Sequence, residues 1–153
     1  MCKCCSRSQS YKVTPLLNRL KEKEEEIQKV LDDLRAEAAK GTPILVEGKR
    51  DLDTLCSMGI DAKTLTVKTG GKSFQDITFM LEQSGTPEVI LLLDFDRRGK
   101  QGTNRLRQSL EHSGIKVNLQ FWRSLLRLAG KEIQCVEGLG SYLKTLQTKT
   151  CNS

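Results

Sequence analysis

The stretch that decides the fold is EVILLLDFDRRG, Glu88 to Gly99. Val89 to Leu93 are apolar without alternation, so both faces of this segment must be covered. That is the pattern of a central strand in a parallel sheet, with helices packed on either side. The strand then ends in Asp94-Phe95-Asp96. Residues two apart on an extended chain point the same way, so both carboxylates face one site while Phe95 turns inward.

Upstream, Ile44 to Gly48 (ILVEG) is a second short buried strand ending in a polar turn. Residues 50–58 suit a helix with Leu52, Leu55 and Cys56 on one face, ended by Gly59. Leu65 to Val67 form a weaker strand before a Gly70-Gly71 turn. Ser73 and Asp76 make a capping box for a helix to about Ser84. Downstream, a helix over Gln101 to His112 stops at Gly114, Lys116 to Gln120 add a fourth strand, and two short helices follow around Ile133 to Val136. This alternation predicts an open, mostly parallel α/β sheet of about four strands with helices on both faces.

Before the sheet, Thr14-Pro15 can start a helix, and Leu16, Leu20, Ile27, Leu31, Leu34 and Ala38 recur at helical spacing up to Gly41. This long helix could pack on the domain or pair with a second copy as a homodimer. The expected division is a disordered 1–13, a helical extension 14–41, an α/β domain 42–146 and a disordered tail 147–153.

Of the 153 residues, 37% are hydrophobic and 29% charged, too apolar for a disordered chain. The apolar run at Val89 to Leu93 falls far short of the ~20 residues of a spanning helix, and MCKCCSRSQSYK lacks an apolar leader core. No membrane role and a cytoplasmic location are therefore expected. Cys2, Cys4 and Cys5 have no second cysteine pair to complete a zinc site, and His112 is the only histidine. The net charge of +6 is uneven: residues 97–153 carry 11 Lys/Arg against 3 Asp/Glu, and residues 1–96 carry 14 against 16. A basic half points to phosphate-bearing partners, nucleic acid first.

Glu47 ends the first strand as Asp94 and Asp96 end the central one. Open α/β sheets bind ligands in the crevice outside the strand carboxyl ends, so neighbouring strands would bring the three acids together. Two such charges 4 Å apart repel by about 4 kcal/mol at an effective dielectric near 20, and the cluster then calls for cations. Oxygen donors without histidine select Mg2+ or Mn2+. Lys49, Arg50, Arg97, Arg98 and Lys100 flank these strand ends, and Lys72 follows the glycine turn, as candidate phosphate contacts.

An apolar strand ending in Glu47-Gly48, then another ending in Asp94-Phe95-Asp96 with Gly99 soon after, resembles the Toprim domain of topoisomerases, bacterial-type primases and certain nucleases. The likeness spans about residues 42–146. VEGKRDLDTL, LLLDFDRRG and VEGLGSYL look especially like the small stand-alone Toprim proteins found mainly in archaea. The resemblance implies that Glu47 binds one metal and serves as general acid/base. It also implies that Asp94 bridges two Mg2+ sites, which Mn2+ can fill, and that Asp96 serves the second. Gly48 and Gly99 would allow close backbone approach.

A topoisomerase would need a tyrosine nucleophile on a further domain, and a primase would need a zinc domain; neither pattern is in these residues. A haloacid-dehalogenase-type phosphatase would need later acidic partners, and residues 97–153 hold only Glu111, Glu132 and Glu137. Two functions remain. One is a Mg2+-dependent nuclease acting on RNA or DNA, in RNA processing or DNA repair. The other is a non-catalytic module that docks on nucleic acid or protein. Phe121-Trp122 is expected to be core rather than a stacking platform.

Overall fold

A computed structural model describes residues 15–67 and 73–151. The chain runs α1 (Pro15–Ala39), β1 (Ile44–Val46), α2 (Lys49–Ser57), β2 (Thr64–Thr66), α3 (Phe74–Gln83), β3 (Glu88–Leu92), α4 (Arg97–His112), β4 (Lys116–Asn118), α5 (Gln120–Ala129), a 3₁₀ turn (Val136–Gly138) and α6 (Leu139–Cys151). The strands lie in the order β2-β1-β3-β4 and every pairing is parallel. This is the α/β sheet that the strand–helix alternation predicts.

The order has a mechanical consequence. The chain steps from β1 outward to β2 through α2, then back past β1 to β3 through α3, and on to β4 through α4. Right-handed crossovers put α2 on one face and α3 and α4 on the other. α3 indeed packs on α4, and the Thr78 and Ser109 hydroxyls join them at 2.9 Å. α1 covers the opposite face, packed on α5 and α6. The winding reverses between β1 and β3, so their carboxyl ends open a crevice there.

β3 is the buried spine, with Val89 to Leu93 all essentially inaccessible. Its end is held against α5 by Trp122, whose indole Nε1–H donates to the Leu93 carbonyl at 2.9 Å. Phe95 turns inward as expected and meets Trp122 with ring centroids 6.3 Å apart. Phe121 and Trp122 are core residues, the role the sequence assigned them. The Ser73–Asp76 capping box forms with both reciprocal bonds at 3.1 Å.

The long helix packs on the domain through Ile27, Leu31, Leu34 and Ala38, all buried. Its first turn is not part of this seam, since Leu16 is 67% exposed. Other expectations change. On α2 it is Asp51, not Cys56, that is buried beside Leu55, because Asp51 finds backbone donors there while Cys56 faces solvent. α4 begins at Arg97, four residues before the expected start, because Asp96 caps it. The expected tail from residue 147 is helical as far as Cys151, with Leu146 and Thr150 buried on α6. Residues 1–14, with the cysteine cluster, lie outside the described residues. No helix among the described residues is long and apolar enough to cross a membrane.

Leu31 tests whether α1 is integral to the domain. Leu31→Ala empties a site 1% exposed and is expected to cost about 2–5 kcal/mol. Urea unfolding followed by circular dichroism should show one transition at a lower midpoint; an unchanged midpoint would make α1 an appendage.

Candidate metal and nucleic-acid site

Val46 pairs with Leu92, so the two strands end side by side. Glu47 leaves β1 and Asp94 leaves β3 into one cleft of about 350 Å³, which Asp96 and Arg98 also line. Glu47 and Asp94 are half-buried, and Asp96 is exposed at the rim.

Gly99 is what lets α4 start so close to the strand. A Cβ there would collide with the Asp94 carbonyl and come within 2.7 Å of the Asp94 Cβ. The expected close approach therefore occurs at Gly99. It does not occur at Gly48, where an added Cβ would meet nothing within 4 Å. Asp96 Oδ1 accepts from the Gly99 N–H at 2.7 Å, capping α4. One carboxylate oxygen is thus committed to the fold, and a carboxylate retains further lone pairs for a ligand.

Asp94 also belongs to a second, tighter group of potential donors. Ligand atoms of Asp51, Asp94 and Cys135 fall within 4.8 Å of one another. Among the described residues this, rather than Glu47 with Asp94 and Asp96, is the close-packed group. Its chemistry suits Mg2+ poorly. Asp51 Oδ2 accepts from the Gly48 N–H at 3.2 Å and Oδ1 from the Glu137 N–H at 2.9 Å, so both oxygens already serve backbone donors. Burial pushes the Asp51 carboxyl above its ordinary range, and these two N–H groups pull it back. The Cys135 thiol is raised by burial and by the carboxylates of Asp51, Asp94 and Glu137, which keeps it protonated. A neutral thiol is a poor partner for a hard cation. Glu47, Asp94 and Asp96 instead offer the cleft carboxylate oxygens, the donor type that hard divalent cations take.

The basic candidates scatter. Arg98 lines the cleft. Arg97, Lys100 and Lys49 are exposed beside it, and Arg50 pairs with Glu137 at 3.5 Å. Lys72 lies outside the described residues. Sequence inspection missed Phe74, Gln101 and Arg105, which also line the cleft. The signal for Arg105 was its place two helical turns after Arg98, legible once α4 is known to begin at Arg97. Nothing in the periodicity could have brought Cys135 or the Glu137 N–H to the site.

An all-parallel sheet with carboxylates gathered where its winding reverses defines a class of metal-binding, nucleic-acid-related α/β domains. The chain belongs to the Toprim-like family, which it matches over residues 44–126. It is 34% identical over 120 residues to the UPF0292 protein MJ1624 of Methanocaldococcus jannaschii, covering 78% of this chain and 91% of that one. A UPF0292 protein of Methanosarcina acetivorans is 35% identical over 127 residues, covering 82% and 85%. Among solved structures, a protein from Aquifex aeolicus superposes with a TM-score of 0.59 at 28% identity, covering 72% of this chain and 94% of that one.

The two duties of Asp96 separate by substitution. Asp96→Asn preserves a good cap and should leave stability within about 0.5 kcal/mol, while Asp96→Ala should lose about 1 kcal/mol. Both should weaken Mn2+ binding by calorimetry if the carboxylate is a ligand; undiminished affinity in both would confine Asp96 to capping. Gly99→Ala must displace backbone and is expected to lower the melting temperature more than either.

Proposed function

We propose that the protein is a Mg2+-dependent phosphodiesterase acting on nucleic acid, RNA or DNA, in cytoplasmic RNA processing or DNA repair. The observation that carries this reading is one cleft holding Glu47, Asp94 and Asp96 together with the guanidinium of Arg98. Carboxylates alone would suit a cation store, and arginines alone would suit any anion. Side by side they suit a phosphate brought to a metal.

In this reading Glu47, Asp94 and Asp96 would hold the cations, and Glu47 would also move the proton as general acid/base. Two Mg2+ or Mn2+ ions bound there would stabilise the attacking and leaving oxygens of the displacement. Arg98 holds a non-bridging phosphate oxygen, for which its planar fork is suited. Arg97, Lys100 and Lys49 sit on the exposed rim and add sequence-blind attraction to the backbone. Arg50 joins them by exchanging its exposed Glu137 partner for phosphate; such surface pairs contribute at most about 1 kcal/mol.

The test is cleavage of structured RNA and DNA with Mg2+ or Mn2+. Asp94→Asn should abolish cleavage, and Glu47→Gln should lower it by at least about 100-fold, the low end of general acid–base contributions, while calorimetry still detects Mn2+. Salt-dependent binding with no cleavage by the wild type would overturn the enzymatic reading and favour a docking module.

A further inference from the structure

The cleft continues beyond the carboxylates. Arg98, Gln101 and Arg105 follow one another at three- and four-residue spacing along α4 and line it together. From Arg98 to Arg105 the helix rises ~10 Å, farther than one phosphate extends, so the two arginines cannot both serve a single phosphate lying across the helix. Neither guanidinium has an ion-pair or hydrogen-bond partner among the described residues. On the same helix Arg107 differs, held by Glu111 at 2.9 Å and by Asn104 at 2.7 Å.

The same cleft has an apolar wall, made by Val67 and Phe74. Val67 is buried, while Phe74 at the start of α3 is only half-buried. The Phe74 ring approaches α4 where it has no side chain: a Cβ on Gly102 would stand 3.5 Å from Cζ. A partly buried aromatic ring packed on the core, in one cleft with two arginines and the carboxylates, offers an edge or face to an unpaired base, since stacking on a side chain is open only to a base out of its duplex. The cleft volume of about 350 Å³ is of the order of one nucleotide.

We propose that this cleft is a single-strand subsite, in which Phe74 stacks one unpaired base, Arg105 holds the phosphate next to the one at the carboxylates, and Gln101 reaches the sugar or base between them. The proposal rests on the phosphodiesterase reading for which phosphate lies at Glu47 and Asp94. It adds the substrate class, single-stranded nucleic acid.

The experiment uses the full chain and two fluorescein-labelled probes, a 12-nucleotide oligothymidine and a 12-base-pair blunt duplex. Fluorescence anisotropy is read across a salt series with Ca2+ in place of Mg2+. Single strand should bind at least tenfold tighter than duplex. Arg105→Ala should weaken it about tenfold and reduce the salt slope by about 0.7, the loss of one phosphate contact. Phe74→Leu should weaken it roughly tenfold without changing the slope, and Phe74→Tyr should restore it. Arg107→Ala is the control and should stay within twofold. Equal affinity for the duplex, or Arg105→Ala and Phe74→Leu indistinguishable from Arg107→Ala, would overturn the subsite.

The two proposals fail separately. A wild type that cleaves nothing, yet loses single-strand binding in Arg105→Ala, removes the catalytic reading and upholds the subsite. Cleavage lost in Asp94→Asn with binding and rate untouched in Arg105→Ala and Phe74→Leu does the reverse.

Discussion

The contact between Gly99 and the backbone of Asp94 governs the geometry of this molecule. β3 ends at Leu92 and α4 begins at Arg97, so few residues reverse the chain from strand to helix. The helix must start almost on top of the carbonyl it has just left, and only hydrogen fits on Cα at position 99. Two features follow from that approach. Asp96 is placed to cap the helix through the Gly99 N–H. The face of α4 bearing Arg98, Gln101 and Arg105 is laid beside the strand ends rather than above them. A bulkier residue would push the helix outward and separate the cationic row from the carboxylates.

The second constraint comes from the segment before α6. The Phe95 N–H, between the two aspartates, donates to the Gln134 carbonyl at 2.7 Å. Three residues later the Glu137 N–H reaches Asp51, which also receives the Gly48 N–H. The turn after β1 and the turn after β3 are therefore tied to one strip of backbone, although β1 and β3 are far apart in sequence. Each bond contributes only about 0.5–1.5 kcal/mol net, but together they fix the relative position of Glu47 and Asp94. Burying Asp51 disfavours its charge and raises its pKa, and the two donors offset part of that penalty. A buried aspartate on an otherwise amphipathic helix thus has a positioning role, and this explains why it displaces Cys56 from the face that periodicity had assigned.

What could be read without coordinates follows from the range of each interaction. Local and periodic signals were legible: the unbroken apolar run of β3, the Ser73 capping box, and the 3.6-residue rhythm of Ile27 to Ala38. The pairing of β1 with β3 was only conditional in the sequence, because strand order is a nonlocal property. Once it is known, Glu47 and Asp94 fall on one cleft. The start of α4 was misplaced because Arg97-Arg98-Gly99 has no apolar periodicity; its cap is the aspartate that had been assigned wholly to a metal. The strap through Gln134 and Glu137 was invisible for another reason. Its bonds run through backbone N–H and carbonyl groups, which every residue carries and no side-chain pattern reports. Phe74 and Arg105 stood in plain view as an ordinary aromatic and an ordinary helix charge, and became site residues only when the fold placed them in one cleft.

Charge placement bears on why the crevice can stand open. Three carboxylates crowded within about 4 Å would repel by several kcal/mol, and a fold built on them would lean on its cation. Here Asp96 is drawn aside to α4, and the close neighbours of Asp94 are Asp51, bonded to two N–H groups, and a thiol kept neutral. The two N–H groups on Asp51 and the Gly99 N–H on Asp96 soften the repulsion. The excess of positive charge in residues 97–153 is partly carried by α4, where Arg97, Arg98, Lys100 and Arg105 are all exposed. Such a field attracts polyanions irrespective of their sequence. It cannot by itself choose single strand over duplex. In the proposed subsite that choice would rest on shape: a cleft of about 350 Å³ walled by Phe74, which approaches Gly102, and by the carboxylates.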